Sequence, residues 1–143
     1  MKITAFLMML LAAVTLISCG KKEVKPVSQE SKTALEAFAL AEKLSDAFMR
    51  KDLEAIRMDS TESGYKEVTA NRKNYSGVEL SFTPRWLEIE QNKVMLNISW
   101  KSTWTAGGKN TEDRGMAVFV MEGRPLKLSG ILRTNPFLFP AQK

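Results

Sequence analysis

The sequence has no histidine and a single cysteine, Cys19, in 143 residues. Without histidine, the commonest general base and the commonest metal ligand are both missing. One cysteine excludes an intramolecular disulfide, and a Cys/His zinc site cannot be assembled. Charge of one sign is also scarce. There are 21 basic and 16 acidic residues, a net charge of +5, and the signs mix, as in Lys51-Asp52 and Glu112-Asp113-Arg114. No dense basic stripe exists to track a phosphate backbone, so nucleic acid is not an expected partner. Gly107-Gly108-Lys109-Asn110 lacks both the spacing and the following Ser/Thr of a phosphate loop, and reads as a turn. The sequence holds no nucleophile elbow and no dinucleotide fingerprint. No metal and no cofactor is expected.

The composition is 44% hydrophobic and 26% charged, which is globular and fits one domain. One long apolar run is present. Met1-Lys2 is a short positive start, and Ile3 to Ile17 is apolar except for Thr4 and Thr15. As a helix this run spans roughly 22 Å, too short for a bilayer core of about 30 Å but suited to a signal peptide. It ends in Leu16-Ile17-Ser18-Cys19-Gly20. This segment resembles the lipobox of bacterial lipoproteins. The resemblance implies cleavage after Ser18 and a diacylglycerol on Cys19. It further implies a lipid-anchored envelope protein, on the outer membrane facing the periplasm in a Gram-negative host, because Gly20 stands where aspartate would argue for retention. The division expected is a leader over 1–18, an anchor and polar tether over 19–30, and a folded domain over 31–143. Lys21, Lys22 and Lys25 lie beside the anchor, where each gains about 1 kcal/mol near acidic headgroups.

From Ser31 to Arg50 the pattern predicts a helix. Ala37, Leu40, Ala41, Leu44, Ala47 and Phe48 recur at spacings of three and four, with Leu35 and Phe38 widening the stripe. Ser31 or Thr33 is the expected cap, and Glu36 sits at capping-box spacing from Thr33. Asp52 opens a short second helix, and Asp59 or Ser60 a third running to about Asn71. After Gly77 the period changes to two. Val78, Leu80 and Phe82 alternate with polar residues, and Pro84 places this strand at an edge or a bulge. Val94 to Trp104, Met116 to Met121 and Leu126 to Leu132 supply three more strands, separated by turns. Met116 to Met121 is apolar on both faces, which predicts a central strand. Helices followed by a four-stranded antiparallel meander make an α+β fold.

The pattern resembles the NTF2-like (SnoaL, cystatin-like) superfamily. The carrying residues are Phe48-Met49-Arg50-Lys51-Asp52-Leu53-Glu54-Ala55-Ile56 and Leu128-Ser129-Gly130-Ile131-Leu132-Arg133 before Asn135-Pro136-Phe137. The resemblance implies helices on a curved sheet enclosing a cone, and a homodimer through the sheet. Enzymes of that fold place an acid or base inside the cone. The candidates here, Asp59, Tyr65, Glu88, Glu90 and Asp113, read more simply as a helix cap, a core ring with its hydroxyl at the rim, and wet-face or hairpin residues, so no catalytic residue is assigned. Trp86, Trp100 and Trp104, with Tyr65 and Arg85, are the candidate lining of a binding site. Trp suits such a place because it is large and carries one N–H donor. Trp100 and Trp104 share parity and so share a face. Phe137-Leu138-Phe139 is expected to fold over the mouth of the cone.

The expected function is therefore a non-catalytic domain that binds a small apolar ligand or an envelope protein. The alternatives are an assembly protein with a filled core, or an isomerase- or dehydratase-like enzyme. Replacing Cys19 with Ala should move the protein from the membrane to the soluble fraction. Fractionation checks this, and undiminished membrane association of the variant would sink the anchor.

Overall fold

The computed structural model describes residues 27–140, so the leader, Cys19 and most of the tether lie outside the described residues. Helix α1 spans Gln29–Met49, α2 Leu53–Met58 and α3 Glu62–Val68. Strands β1 (Gly77–Glu90), β2 (Lys93–Ala106), β3 (Lys109–Glu122) and β4 (Lys127–Arg133) follow. Together they give the expected α+β architecture. Among the described residues, no helix is long and apolar enough to cross a membrane.

Each helix starts at a side chain that satisfies an otherwise orphaned amide. For α1 that side chain is Ser28, whose hydroxyl accepts from the Ser31 N–H at 3.1 Å. The expected caps, Ser31 and Thr33, lie inside the helix, which reaches two residues into the segment assigned to the tether. Glu36 also departs from expectation. Its carboxylate accepts from the Leu126 N–H at 2.8 Å, ninety residues away, and so staples α1 to the β3–β4 turn. Leu35, expected in the apolar stripe, is exposed. Asp52 caps α2 as expected, accepting from Ala55 N–H at 3.0 Å.

The cap of α3 is Thr61, not Asp59 or Ser60. The reason is a tertiary bridge. The Asp59 carbonyl accepts from Leu128 N–H at 3.0 Å, and Thr61 N–H donates to the Leu128 carbonyl at 2.8 Å. Ser60 thus pairs with β4 in parallel, and the helix can begin only beyond it. Nor does α3 reach Asn71; it stops at Val68, and the Asn71 side chain accepts from Lys73 N–H instead.

The sheet order is β1-β2-β3-β4, all antiparallel, so β1 is an edge and β3 is central. Gly107 and Gly108 turn the β2–β3 hairpin at φ of 56° and 74°, where a Cβ is unfavourable. Pro84 sits on the edge strand at a break in register between Pro84 and Trp86. Arg85 is the extra residue of that bulge. The bulge changes which parity faces the helices. Phe82 and Pro84 point inward, but so do Leu87 and Ile89, while Trp86 joins Glu88 on the outer face. Against the inner face α1 lays Ala37, Leu40, Ala41, Leu44, Ala47 and Phe48, all buried. Small alanines let the helix approach the sheet closely. The buried Ser45 hydroxyl is not wasted, donating to the Leu80 carbonyl at 3.2 Å.

Gly64 shows how tightly α3 is docked. A Cβ built there would overlap the Leu128 carbonyl oxygen of the bridge. Alanine favours a helix over glycine by about 1 kcal/mol, yet overpacking costs about 1–3 kcal/mol. Gly64→Ala should therefore lower the thermal midpoint; an unchanged or higher midpoint would show that α3 can move off β4.

Candidate functional site

The inside of the cone is filled by its own aromatic residues. Phe137, from the last described segment, is fully buried. Its ring lies 4.9 Å from Phe48, 5.9 Å from Phe82 and 6.0 Å from Phe119, centre to centre. Aromatic pairs at these separations contribute about 0.5–1.5 kcal/mol each beyond burial. The segment is held by its own polar groups. Asn135 accepts from Phe137 N–H at 2.9 Å and donates to the Glu67 carbonyl at 2.9 Å. Phe139 packs on Trp104 at 5.3 Å.

The five candidate lining residues do not converge on one hollow. Trp104 is a core residue, edge-on to Phe48 and Tyr75, with its indole N–H donating to Ser102 Oγ at 3.0 Å. Trp100 shares its face, as parity predicts, and is also buried. Its ring lies over Gly115, where a Cβ would overlap the indole. The Trp100 N–H has no protein partner, a loss of about 1–3 kcal/mol. Tyr65 is half-buried on α3, with the Arg57 guanidinium 4.2 Å above its ring. Arg85 and Trp86 stand on the opposite, outer face of the sheet.

The acids are dispersed as well. Asp59 ends α2, Glu88 and Glu90 lie on the wet face of β1, and Asp113 sits opposite Ser102 and accepts from Arg114 N–H at 2.8 Å. Among the described residues, no group of three or more His, Cys, Asp or Glu side chains could hold a metal ion.

Open hollows of about 720 Å³ along Lys101–Thr103 and Glu112–Arg114, and of about 360 Å³ between the start of α1 and the β1–β2 and β3–β4 turns, have mixed polar linings. Two further surfaces are more apolar. A shallow groove of about 280 Å³ opens at the wide end of the cone, floored by Phe48, Ile56 and Val68. Lys51 and Tyr75 stand at its side. Lys51 adopts φ of 58°, its ammonium donates to the Tyr75 carbonyl at 3.0 Å, and it lies 4.7 Å from the Tyr75 ring centre.

The second surface is the outer face of the sheet. Trp86, Asn97, Val118 and Leu132 form one row across all four strands, as the register dictates. Met116 follows on the same face of β3. Trp86 is 50% exposed, Met116 41% and Leu132 53%. Asn97, between Trp86 and Val118, is wholly buried, and neither its amide nitrogen nor its oxygen has a protein partner. The sequence signal for this row was available: residues of one parity on β2 and β3, with Trp86 joined to them once the bulge at Arg85 is counted.

Comparison with known proteins gives the fold. No family model matches the chain, and no curated protein matches it. Among solved structures, it is similar to a nuclear transport factor 2 (NTF2-like) superfamily protein from Salmonella enterica subsp. enterica serovar Typhimurium str. LT2. The TM-score is 0.63 at 13% identity, over 75% of this chain and 93% of that one. The expected cone of helices on a curved sheet is thus the fold observed; at that identity the likeness extends to fold alone.

Burial pushes the Tyr75 hydroxyl above the ordinary tyrosine value of 10.0. Below pH 10 the phenol is neutral in both folded and unfolded chains. Above it the unfolded chain ionises first, so stability falls as pH rises through the folded value. Urea midpoints measured between about pH 9 and 11 should fall less in Tyr75→Phe than in the parent. Equal slopes would show that the hydroxyl is open to water.

Proposed function

We propose that this chain is a lipid-anchored envelope protein whose domain is a non-catalytic scaffold, docking a protein on the outer face of its sheet. The anchor rests on the sequence around Cys19. The docking surface rests on the unequal use of the two faces of the sheet. Inside, Phe48, Phe82, Phe119 and Phe137 occupy the space that a ligand of this fold would need. Outside, Trp86, Met116 and Leu132 are exposed together around the buried Asn97 and Val118, on the face opposite the described α1 helix. Apolar side chains gathered on one face mark contact surfaces, and Trp is enriched where such contacts are strongest. The acids are dispersed, and Glu112 and Asp113, which line an open depression together, share it with Lys101 and Arg114 rather than with an apolar enclosure, which weighs against the isomerase or dehydratase alternative. A small apolar ligand is a second reading, favoured by the groove over Phe48, Ile56 and Val68. That groove is smaller than the roughly 300 Å³ at which ligand pockets begin.

A second copy of the chain is the first partner to test, since a face centred on one row can meet its own image about a two-fold axis. Sedimentation of residues 27–143 should show a concentration-dependent dimer. Trp86→Asp combined with Leu132→Asp should weaken it by at least tenfold, about 1.4 kcal/mol. A monomer up to about millimolar concentration, where only about 4 kcal/mol of association would be needed, removes the second copy. An unchanged dimer in the double variant removes the outer face.

A further inference from the structure

Beside the apolar row, the outer face presents cations with no ion-pair partner among the described residues. Lys101 on β2 and Arg114 on β3 are direct cross-strand partners on that face. Like charges opposite one another destabilise a sheet, so this pair opposes the fold unless something neutralises it. Among the described residues none does: the one ion pair within 4 Å is Lys66 with Glu62, on α3. Asp113 is adjacent in sequence, but strand parity turns it to the inner face, opposite Ser102. Glu79 and Glu112 flank Thr103, one row further toward the β2–β3 hairpin, and form no ion pair with Lys101 or Arg114.

A third cation is held in place beside them. Arg85, the extra residue of the β1 bulge, donates from Nε to Ser99 Oγ at 3.0 Å. One of the five N–H donors of the guanidinium is thereby used to fix its orientation. The fork that remains has no protein partner among the described residues. Ser99 lies one row from Lys101, opposite Thr83, and Ser81 lies opposite Lys101. Arg85, Lys101, Arg114, Ser81, Thr83 and Ser99 line a common depression of about 480 Å³, with no carboxylate in its lining.

We propose that this depression is a phosphate-binding cleft. Its ligand is a phosphate monoester or diester, either free or as the headgroup of a lipid. Arg85 and Arg114 supply planar forks that match the oxygens of a phosphate in pairs, and Lys101 adds a compact charge. The three hydroxyls donate to the oxygens left over. A bound phosphate anion reduces the repulsion between Lys101 and Arg114, more so as a monoester than as a diester, so binding and sheet stability are linked. The site does not depend on the docking of a second copy, and it lies beside the row of Trp86 and Leu132, not within it.

The test uses the full chain in neutral detergent, labelled for NMR and titrated at low salt with inorganic phosphate. The probe in a second arm is dihexanoyl phosphatidic acid, below its micelle concentration. The expected result is saturable shifts of the Arg85 Nε–H and of the Lys101 and Arg114 amides, weakened by added salt as exposed charges are screened. Lys101→Thr with Arg114→Thr should lower the affinity at least tenfold and raise the thermal midpoint of the unliganded protein, since strand-favouring threonines replace two opposed cations. The lipid binding at least tenfold more tightly than inorganic phosphate assigns the cleft to a headgroup, with the acyl chains over Met116. Equal affinities assign it to soluble phosphate esters. Shifts that grow without saturating and spread over all the lysines overturn the proposal. So does a double variant that binds phosphate as well as the parent. If the double variant instead changes self-association while phosphate gives no saturable shift, the three cations belong to the protein contact.

Discussion

The insertion of Phe137 between Phe48, Phe82 and Phe119 is the contact on which the rest of this structure depends. It joins the end of α1, the edge strand, a central strand and the last segment of the chain in one aromatic cluster. A fully buried Phe contributes about 1.5–3 kcal/mol by transfer alone. Its larger effect is geometric. With Phe137 in place the sheet cannot collapse further onto α1, and the centre of the cone is filled; the hollow that α1 does line, about 360 Å³, lies at its amino-terminal end, against the β1–β2 and β3–β4 turns. Among the described residues the carboxylates lie dispersed around this cluster.

Much of this was legible in the sequence, because it rests on periodicity. The stripe from Ala37 to Phe48, the alternation in β1 and β2, and the doubly apolar β3 each follow from one local rule. The caps were less legible. Ser31, Thr33 and Asp59 are all good capping residues, and nothing within a few positions says which one is used. Glu36 was read as a box partner and is instead spent on Leu126, while Ser60 is drawn into a bridge with Leu128. In both cases a bond to a residue far along the chain overrode a sound local preference. The candidate site was harder still. Trp86, Trp100 and Trp104 are chemically alike, but the bulge at Arg85 reverses the parity of β1, so Trp86 faces water while the other two face the core.

That bulge also separates the two halves of the outer face. One half is apolar around Asn97; the other carries Arg85, Lys101 and Arg114. Asn97 is a notable component, because its amide is buried without a partner at a cost of about 1–3 kcal/mol. A leucine of similar size would suit the surroundings better. Arg85, by contrast, is anchored through Ser99, which orders a long side chain that would otherwise move freely. The two halves of this face thus differ in kind, one an apolar row and the other an ordered cation beside two more.

The plug also sets an order of events. Phe48 and Phe137 are far apart in the chain, with all four strands between them. The aromatic cluster therefore cannot close until the whole sheet is available, and Asn135 cannot tie α3 to the segment after β4 before then. A nascent chain holding α1 and three strands would still lack the residue that completes its interior.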